Sequence, residues 1–281
     1  MVKIDLENLN KKNKKKIISG ELISDQIKHE LIRKIQGGVN KGLAAVLIGD
    51  NKESKTYIRL KKKFAKEIGV NFFDYYLNSD SSQEEVEECL KFLASDFEVD
   101  GILLQLPLPK KFDTQKIIDY IPAKKDVDGF LKNTLYKPVL IKAIFKIIQE
   151  MDLELDNKNV ILIYNSPIFA NKVEENFVEK FKNLKFKKIL FDKNNILKIR
   201  DEIKKSDLVI SCVGKKEFIK EEFIKEGSSI IDIGVFKENN ETFGDVDFFN
   251  VLDKVKFVTP PISGIGPITV AMLFDNLINF K

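Results

Sequence analysis

The chain has 281 residues, 43% of them hydrophobic, which is enough for two packed cores of ordinary size. Its formal net charge is +4 with basic residues scattered, so there is no electrostatic footprint for nucleic acid, and with only Arg33, Arg59 and Arg200 as arginines, bidentate phosphate clamps are scarce. His29 is the single histidine and Cys89 and Cys212 the two cysteines, which excludes His-Cys metal clusters and a Ser-His-Asp triad and leaves acid and base chemistry to Lys, Tyr, Asp or Glu.

No run approaches the roughly 18 apolar residues of a membrane span, and the amino terminus has no apolar signal core, so the expectation is a cytoplasmic protein. The run KKNKKK at 11–16 reads as a solvated turn without function. Apolar residues then recur at helical spacing from Ser19 to Gln36, where Gly37-Gly38 ends a packing helix. A short strand at Leu43 to Ile48 leads through Gly49-Asp50 to a helix reaching about Ile68, with Ser54 as its expected N-cap. On that helix Tyr57 and Lys61 are four apart and share a face. A lysine in the run Lys61-Lys62-Lys63 is ordinarily solvated surface, but the aromatic partner one turn away near a strand end singles out Lys61.

A strand at Val70 to Leu77, a helix at about Ser82 to Ala94 and a strand inside DGILLQLPLP (100–109) complete a β-α-β-α-β series. Such alternation predicts parallel strands with right-handed crossovers, and puts Gly49, Asn78 and Gln105 at one edge. Gln105 follows the buried run Ile102 to Leu104 at the carboxyl end of its strand, where open α/β sheets bind ligands; an edge glutamine bonded to a nearby loop is the competing reading. Asp113 caps a short helix to about Tyr120. PAKKDVDGF (122–130) reads first as a turn and second as a carboxylate site.

A linker helix at Lys137 to Met151, with Pro138 in its first turn, precedes a second α/β series. Its strands are expected at Val160 to Tyr164, Lys187 to Phe191, Leu208 to Val213 and Ser229 to Ile233, with helices at about Ala170 to Phe181 and Asn195 to Lys204. This is a Rossmann-like lobe by alternation. Its first turn, YNSPIFANK (164–172), contains no glycine, which argues against the close backbone approach that a pyrophosphate takes in a GxGxxG loop. Gly214 and Gly234 follow later strands and keep backbone accessible there. The last stretch, VTPPISGIGPITVAMLFDNLINF (258–280), reads as a Pro/Gly-rich loop and then an apolar helix from Thr269. The loop is either a rigid connection or a ligand wall on which Gly264 and Gly266 admit a flat ring.

Taken together, TYIRLKKKFAKEIGV, DGILLQLPLP, KKDVDGF, GSSIIDIGV, GDVDF and VTPPISGIGPITVAML, in order and over nearly the whole chain, resemble the bifunctional methylenetetrahydrofolate dehydrogenase/methenyltetrahydrofolate cyclohydrolase family. The resemblance implies an α/β protein of two lobes. One is an amino-terminal catalytic lobe, 1–136 with a returning carboxy-terminal helix in 262–281; the other, 137–261, is a linker helix and Rossmann-like NAD(P)-binding lobe. It implies a folate cleft, one-carbon derivatives of tetrahydrofolate as substrates, NADP as cofactor with NAD as the alternative, no metal, and a homodimer. Lys61 matches the catalytic lysine, Tyr57 the tyrosine lying against the folate, and Gln105 the glutamine supporting the lysine. Asp128 matches the carboxylate that anchors the pterin, and Pro261, Gly264 and Gly266 the segment lining its pocket. Tyr164, Asn165, Ser166, Gly214 and Val235 fall at the cofactor positions. The family's Gly-Arg/Ala-Ser turn keeps only Ser166, and its basic or hydroxyl residues after the second Rossmann strand become Phe191-Asp192-Lys193. Asp192 is of the kind that favours a free ribose hydroxyl over a 2'-phosphate. Three readings follow: the full bifunctional enzyme, a cyclohydrolase that has lost its redox half, and a non-catalytic folate-binding scaffold, against which a retained Lys61 counts.

Overall fold

The structure is a computed structural model and describes residues 9–239 and 241–280. In chain order its elements are α1 (Lys11–Lys14), α2 (Gly20–Gln36), β1 (Gly42–Ile48), α3 (Lys52–Ile68), β2 (Asn71–Leu77), α4 (Gln83–Ser95), β3 (Gly101–Leu104), α5 (Thr114–Ile118) and α6 (Val139–Glu150). There follow β4 (Asn159–Tyr164), α7 (Pro167–Lys180), β5 (Lys185–Leu190), α8 (Ile196–Ile203), β6 (Leu208–Cys212), β7 (Ser229–Asp232), β8 (Phe236–Glu238), β9 (Glu241–Phe243), α9 (Phe248–Val251), β10 (Phe257–Val258) and α10 (Ile265–Asn279). Two compact units result: Ile23–Lys142 with the residues from Thr269 on, and the residues up to Leu22 with Ala143–Ile268.

The first unit holds a three-stranded parallel sheet in the order β2-β1-β3, with Gly42 opposite Asn71 and Leu43 opposite Gly101. Every residue of β1 is buried, as a central parallel strand requires, and this is why it reads as an unbroken apolar run. The order 2-1-3 puts the topological switch between β1 and β3, so a crevice opens at their carboxyl ends, between the start of α3 and the residue after Leu104. Asn51 caps α3, its Oδ1 accepting from the backbone N–H of Glu53 and Ser54 at 2.9 Å each. The expected cap, Ser54, is instead a buried first-turn residue, because the chain already turns at Gly49-Asp50 and Asn51 is the first side chain able to reach back. A Ser82–Glu85 capping box starts α4, and Asp113 starts α5 as the sequence predicts.

Residues of α10 from Thr269 on pack within this unit. Phe274 stacks on Phe64 with centroids 5.2 Å apart, an arrangement contributing about 0.5–1.5 kcal/mol beyond its buried area. Asn276 donates to the carbonyls of Val127 (2.7 Å) and Lys137 (3.1 Å) and accepts from Lys142 at 2.7 Å, tying the returning helix to the segment that carries DVDG.

The second unit holds a five-stranded parallel sheet, β10-β7-β6-β4-β5, packed on a core that includes Ile161, Ile163, Val209, Ile230, Val246 and Val258. Counted from β4 the order is 2-1-3-4-5, a doubly wound topology whose switch lies between β4 and β6. Local departures from the sequence reading have physical causes. Ser166 caps α7 and Pro167 fits at its first position, where no intrahelical N–H is needed, so the helix starts earlier than Ala170. For the same reason α10 begins at Ile265 and not at Thr269, which puts Gly266 and Pro267 in a helical first turn and not in a loop. The β8–β9 hairpin and β10 have only two or three residues each, too few to register as alternation. The KKNKKK run is more than a solvated turn: it contains α1, and the Lys16 amine donates to the carbonyls of Leu252 (2.6 Å) and Asp253 (3.1 Å).

Candidate active site

In the first unit the switch between β1 and β3 brings together residues far apart in sequence. The Lys61 amine donates to Gln105 Oε1 at 3.1 Å, and Gln105 Nε2 donates to the Leu106 carbonyl at 2.8 Å. The second bond fixes which way the amide faces, so its oxygen is turned to the lysine. Gln105 is buried at the end of an all-buried strand, and Tyr57, one helical turn before Lys61, stays 39% exposed. As a whole residue Lys61 is half-buried, but its amine end is crowded. Desolvation there pushes the amine below the usual lysine range, with the Asp128 carboxylate opposing the shift.

The two aspartates of DVDG have divided roles. Asp126 is the turn residue: its carboxylate accepts from the backbone N–H of Phe130 and Leu131, both at 3.0 Å. Gly129 has φ +76 and lies so close to Pro138 that an added Cβ would stand 2.8 Å from it, so this turn requires glycine. Asp128 is buried, and its carboxyl is raised, first by desolvation and then by Asp126, while Lys61 pulls it down. An amine and a carboxyl that each resist their charged form, beside an oriented amide, make a site poised for proton exchange at the carboxyl edge of a sheet.

The second unit gathers the other candidate residues at the carboxyl edge of its sheet. Asn165 Nδ2 donates to the Val213 carbonyl at 2.6 Å, spanning the β4–β6 switch, and Ser166 Oγ accepts from Phe169 N–H at 3.5 Å at the start of α7. Gly214 has φ +77, and a Cβ there would sit 3.3 Å from the Val235 carbonyl. Hence Tyr164, Asn165, Ser166, Gly214 and Val235 border one crevice, with bare backbone on one side and the amino end of the 14-residue α7 on the other. That cradle fits a dinucleotide laid across the strand ends. Pro261, Gly264 and Gly266 also belong to this unit or its boundary helix. Gly264 is buried, and a Cβ there would stand 2.2 Å from the Pro260 carbonyl oxygen, which explains its identity by packing, whereas a Cβ on Gly266 would meet open space.

Sequence reasoning missed what holds this edge together. Asp245 Oδ2 accepts from Ser211 Oγ (2.6 Å) and Val213 N–H (2.8 Å), and Oδ1 accepts from Lys215 N–H (2.7 Å), so one carboxylate shapes the loop after β6. Asp232 accepts from Gly234 N–H and Val246 N–H, both at 3.0 Å. A Cβ on Gly234 would overlap the Asp245 carboxyl, and one on Gly244 would overlap that of Asp232. The motifs GSSIIDIGV and GDVDF thus interlock, each supplying an aspartate to a glycine of the other. Burial and the neighbouring Asp245 push the Asp232 carboxyl well above the usual range. The available signal was an acid set inside an apolar run next to a glycine.

Comparison with known proteins agrees with this geometry. Residues 18–128 match the catalytic domain of the tetrahydrofolate dehydrogenase/cyclohydrolase family, and residues 138–281 its NAD(P)-binding domain. The bifunctional protein FolD of Campylobacter hominis is 35% identical over 276 residues, 93% of this chain and 95% of that protein. The protein of the same name from Methanosarcina barkeri is 31% identical over 281 residues, covering 94% and 95%. Among solved structures, the Campylobacter jejuni bifunctional enzyme FolD superposes with a TM-score of 0.84 at 29% identity, covering 92% of this chain and 96% of that one. The Trypanosoma brucei dehydrogenase-cyclohydrolase, crystallised with NADP cofactor and inhibitor, gives 0.86 at 26% identity, covering 93% and 95%. With both family domains matched in order over nearly its whole length, the chain belongs to the tetrahydrofolate dehydrogenase/cyclohydrolase family, enzymes of one-carbon folate metabolism with an NAD(P) cofactor.

Proposed function

We propose that this chain oxidises 5,10-methylenetetrahydrofolate to the methenyl form, with NADP as hydride acceptor, and hydrolyses the methenyl form to 10-formyltetrahydrofolate, with Lys61 at the one-carbon centre of both steps. The observation that carries the reading is the Lys61–Gln105 hydrogen bond beside the buried Asp128. In hydrolysis, the oxygen of water bonds to the cationic methenyl carbon while its proton passes to the Lys61 amine. The carbon–N5 bond then breaks as Lys61 returns a proton to N5, leaving the formyl group on N10 and one net proton released. An amine held below the ordinary lysine range suits both the uptake and the return. Gln105 accepts one Lys61 N–H and so limits the directions in which the amine can point, Tyr57 offers an aromatic face one turn away, and Asp128 accepts from the donors of the pterin. Hydride acceptance is the chemistry the bound nicotinamide supplies; Asn165, Ser166, Gly214 and Val235 would hold the dinucleotide.

A cyclohydrolase without its redox half is the weaker reading, because the cradle fits a dinucleotide although its first turn lacks glycine. A scaffold is weaker still, because binding alone does not call for an amine that resists its charge. A cytoplasmic setting is supported by the two free thiols, Cys89 and Cys212. The homodimer rests on the family resemblance. The test is paired on one preparation: methylenetetrahydrofolate oxidation with NADP and with NAD, and methenyltetrahydrofolate hydrolysis with no nucleotide. Both activities are expected. Hydrolysis alone would leave only the Lys61 half, and neither would sink the assignment.

A further inference from the structure

The last residues of β4 and β5, Tyr164 and Leu190, are paired, and Phe191 N–H donates to the Tyr164 carbonyl at 2.8 Å. The turn after β5 therefore emerges beside the turn that opens α7. In a doubly wound sheet, a dinucleotide spread over this edge lays its adenosine ribose against the end of the second strand, so the residue there meets either a free 2'-hydroxyl or a 2'-phosphate. Acceptors suit the first and cations the second.

Here the turn is held in one shape. Asp192 Oδ1 accepts from Asn194 N–H (2.8 Å), Asn195 Oδ1 accepts from Asp192 N–H (3.1 Å), and Asn195 Nδ2 donates to the Leu190 carbonyl (3.0 Å). The capping box leaves the exposed Asp192 carboxylate with lone pairs able to accept a hydroxyl. Lys193 comes next, exposed, and neither residue makes an ion pair among the described residues. The one arginine of this unit, Arg200 on α8, pairs with Asp201 at 2.9 Å. An anion and a cation thus stand on consecutive residues where the two cofactors differ.

We propose that this turn makes the nucleotide site accept both cofactors: Asp192 takes the ribose hydroxyl of NAD, Lys193 takes the 2'-phosphate of NADP, and neither excludes the other form. The inference rests on the NAD(P)-dependent reading above. The test is calorimetric titration of the full chain with NADH and with NADPH, at low and at raised salt. Dissociation constants within tenfold of each other are expected, with the NADPH value the more salt-sensitive. Asp192→Ser, which keeps an N-cap acceptor, should shift the ratio towards NADPH by about tenfold, the size of a like-charge repulsion removed near a protein surface. Lys193→Ser should weaken NADPH several-fold and leave NADH alone, and circular dichroism melts verify that each variant is folded. A wild-type preference for NADPH beyond tenfold, or a ratio that neither substitution moves, overturns the proposal while the cofactor reading stands; failure of both nucleotides to bind overturns both.

Discussion

Lys61 and Gln105, 44 residues apart in the chain, are joined by a 3.1 Å hydrogen bond across the β1–β3 switch of the first sheet. One comes from a helix that follows β1 and the other from the end of β3, so the pair exists only if the strand order is 2-1-3. Sheet topology, and not local sequence, assembles the Lys61–Gln105 pair. The lysine run Lys61-Lys62-Lys63 shows how narrow the selection is: Lys62 pairs with Asp74 and Lys63 with Glu67, and only Lys61 points to the strand end.

Lys61→Ala should lower methenyltetrahydrofolate hydrolysis by about 10²–10⁴, the span of a positioned acid–base group. Removing the amine also removes the cation beside the buried Asp128, so the melting temperature should fall at pH 7 while the variant stays folded. Stopped-flow absorbance of the methenyl substrate and a thermal melt on the same sample check this. A wild-type rate in the folded variant would remove Lys61 from the mechanism.

Gln105 meets the Lys61 amine through one hydrogen bond, so a role through Lys61 separates two substitutions. Gln105→Glu replaces a neutral acceptor with a carboxylate, so the Lys61 amine should hold its proton to higher pH and the lysine limb of the hydrolysis profile should move up. Gln105→Leu removes the acceptor without adding charge and should move that limb down, with a rate loss of about tenfold or more. A purely structural glutamine would lower the rate in both variants without moving the limb in opposite directions.

Much of this was legible in the sequence because the strands are buried on both faces and punctuated by polar residues at their ends. Gln105 after GILL, and Tyr57 four residues before Lys61, could be placed from periodicity alone. The pairing of Lys61 with Gln105 and the separation of Asp126 from Asp128 could not, because they depend on which strand is central and on which carboxylate the turn N–H groups reach. The Asp232–Asp245 interlock was hidden for a similar reason. Both motifs read as strand-and-turn, and only the strand register shows each aspartate filling the space beside the other's glycine. Asn51 and Ser54 can both cap by residue type, and the turn that precedes them selects Asn51.

That interlock gives a stability prediction. Asp245→Ala leaves the buried Ser211 hydroxyl and the part-buried Val213 and Lys215 N–H groups without their acceptor. With about 1–3 kcal/mol for the buried hydroxyl and less for each part-buried N–H, the loss should be roughly 2 kcal/mol or more. Gly234→Ala forces a methyl into the same carboxyl and should cost about as much by a different route. Since both act on one contact, the double variant should lose clearly less than the sum. Urea unfolding of the four proteins measures this; additive losses would mean that the two motifs do not share the contact.

Asp128 makes a prediction in pH. Burial raises its carboxyl above the unfolded value of about 3.9, so between those two values the folded chain keeps a proton that the unfolded chain has released. Stability must fall as pH rises through that window and remain lowered above it. Asp128→Asn cannot titrate, so the gain in melting temperature of the variant over the wild type should be larger at pH 7 than at pH 4, even as hydrolysis is impaired. Lys61 is the group that holds the Asp128 carboxyl down. The same comparison in a Lys61→Met background should therefore widen the difference at pH 7, because the carboxylate then ionises with no cation beside it. Differential scanning calorimetry at the two pH values tests both statements. A gain independent of pH, or one that shrinks when Lys61 is removed, would show that the two side chains are not electrostatically coupled in the folded chain.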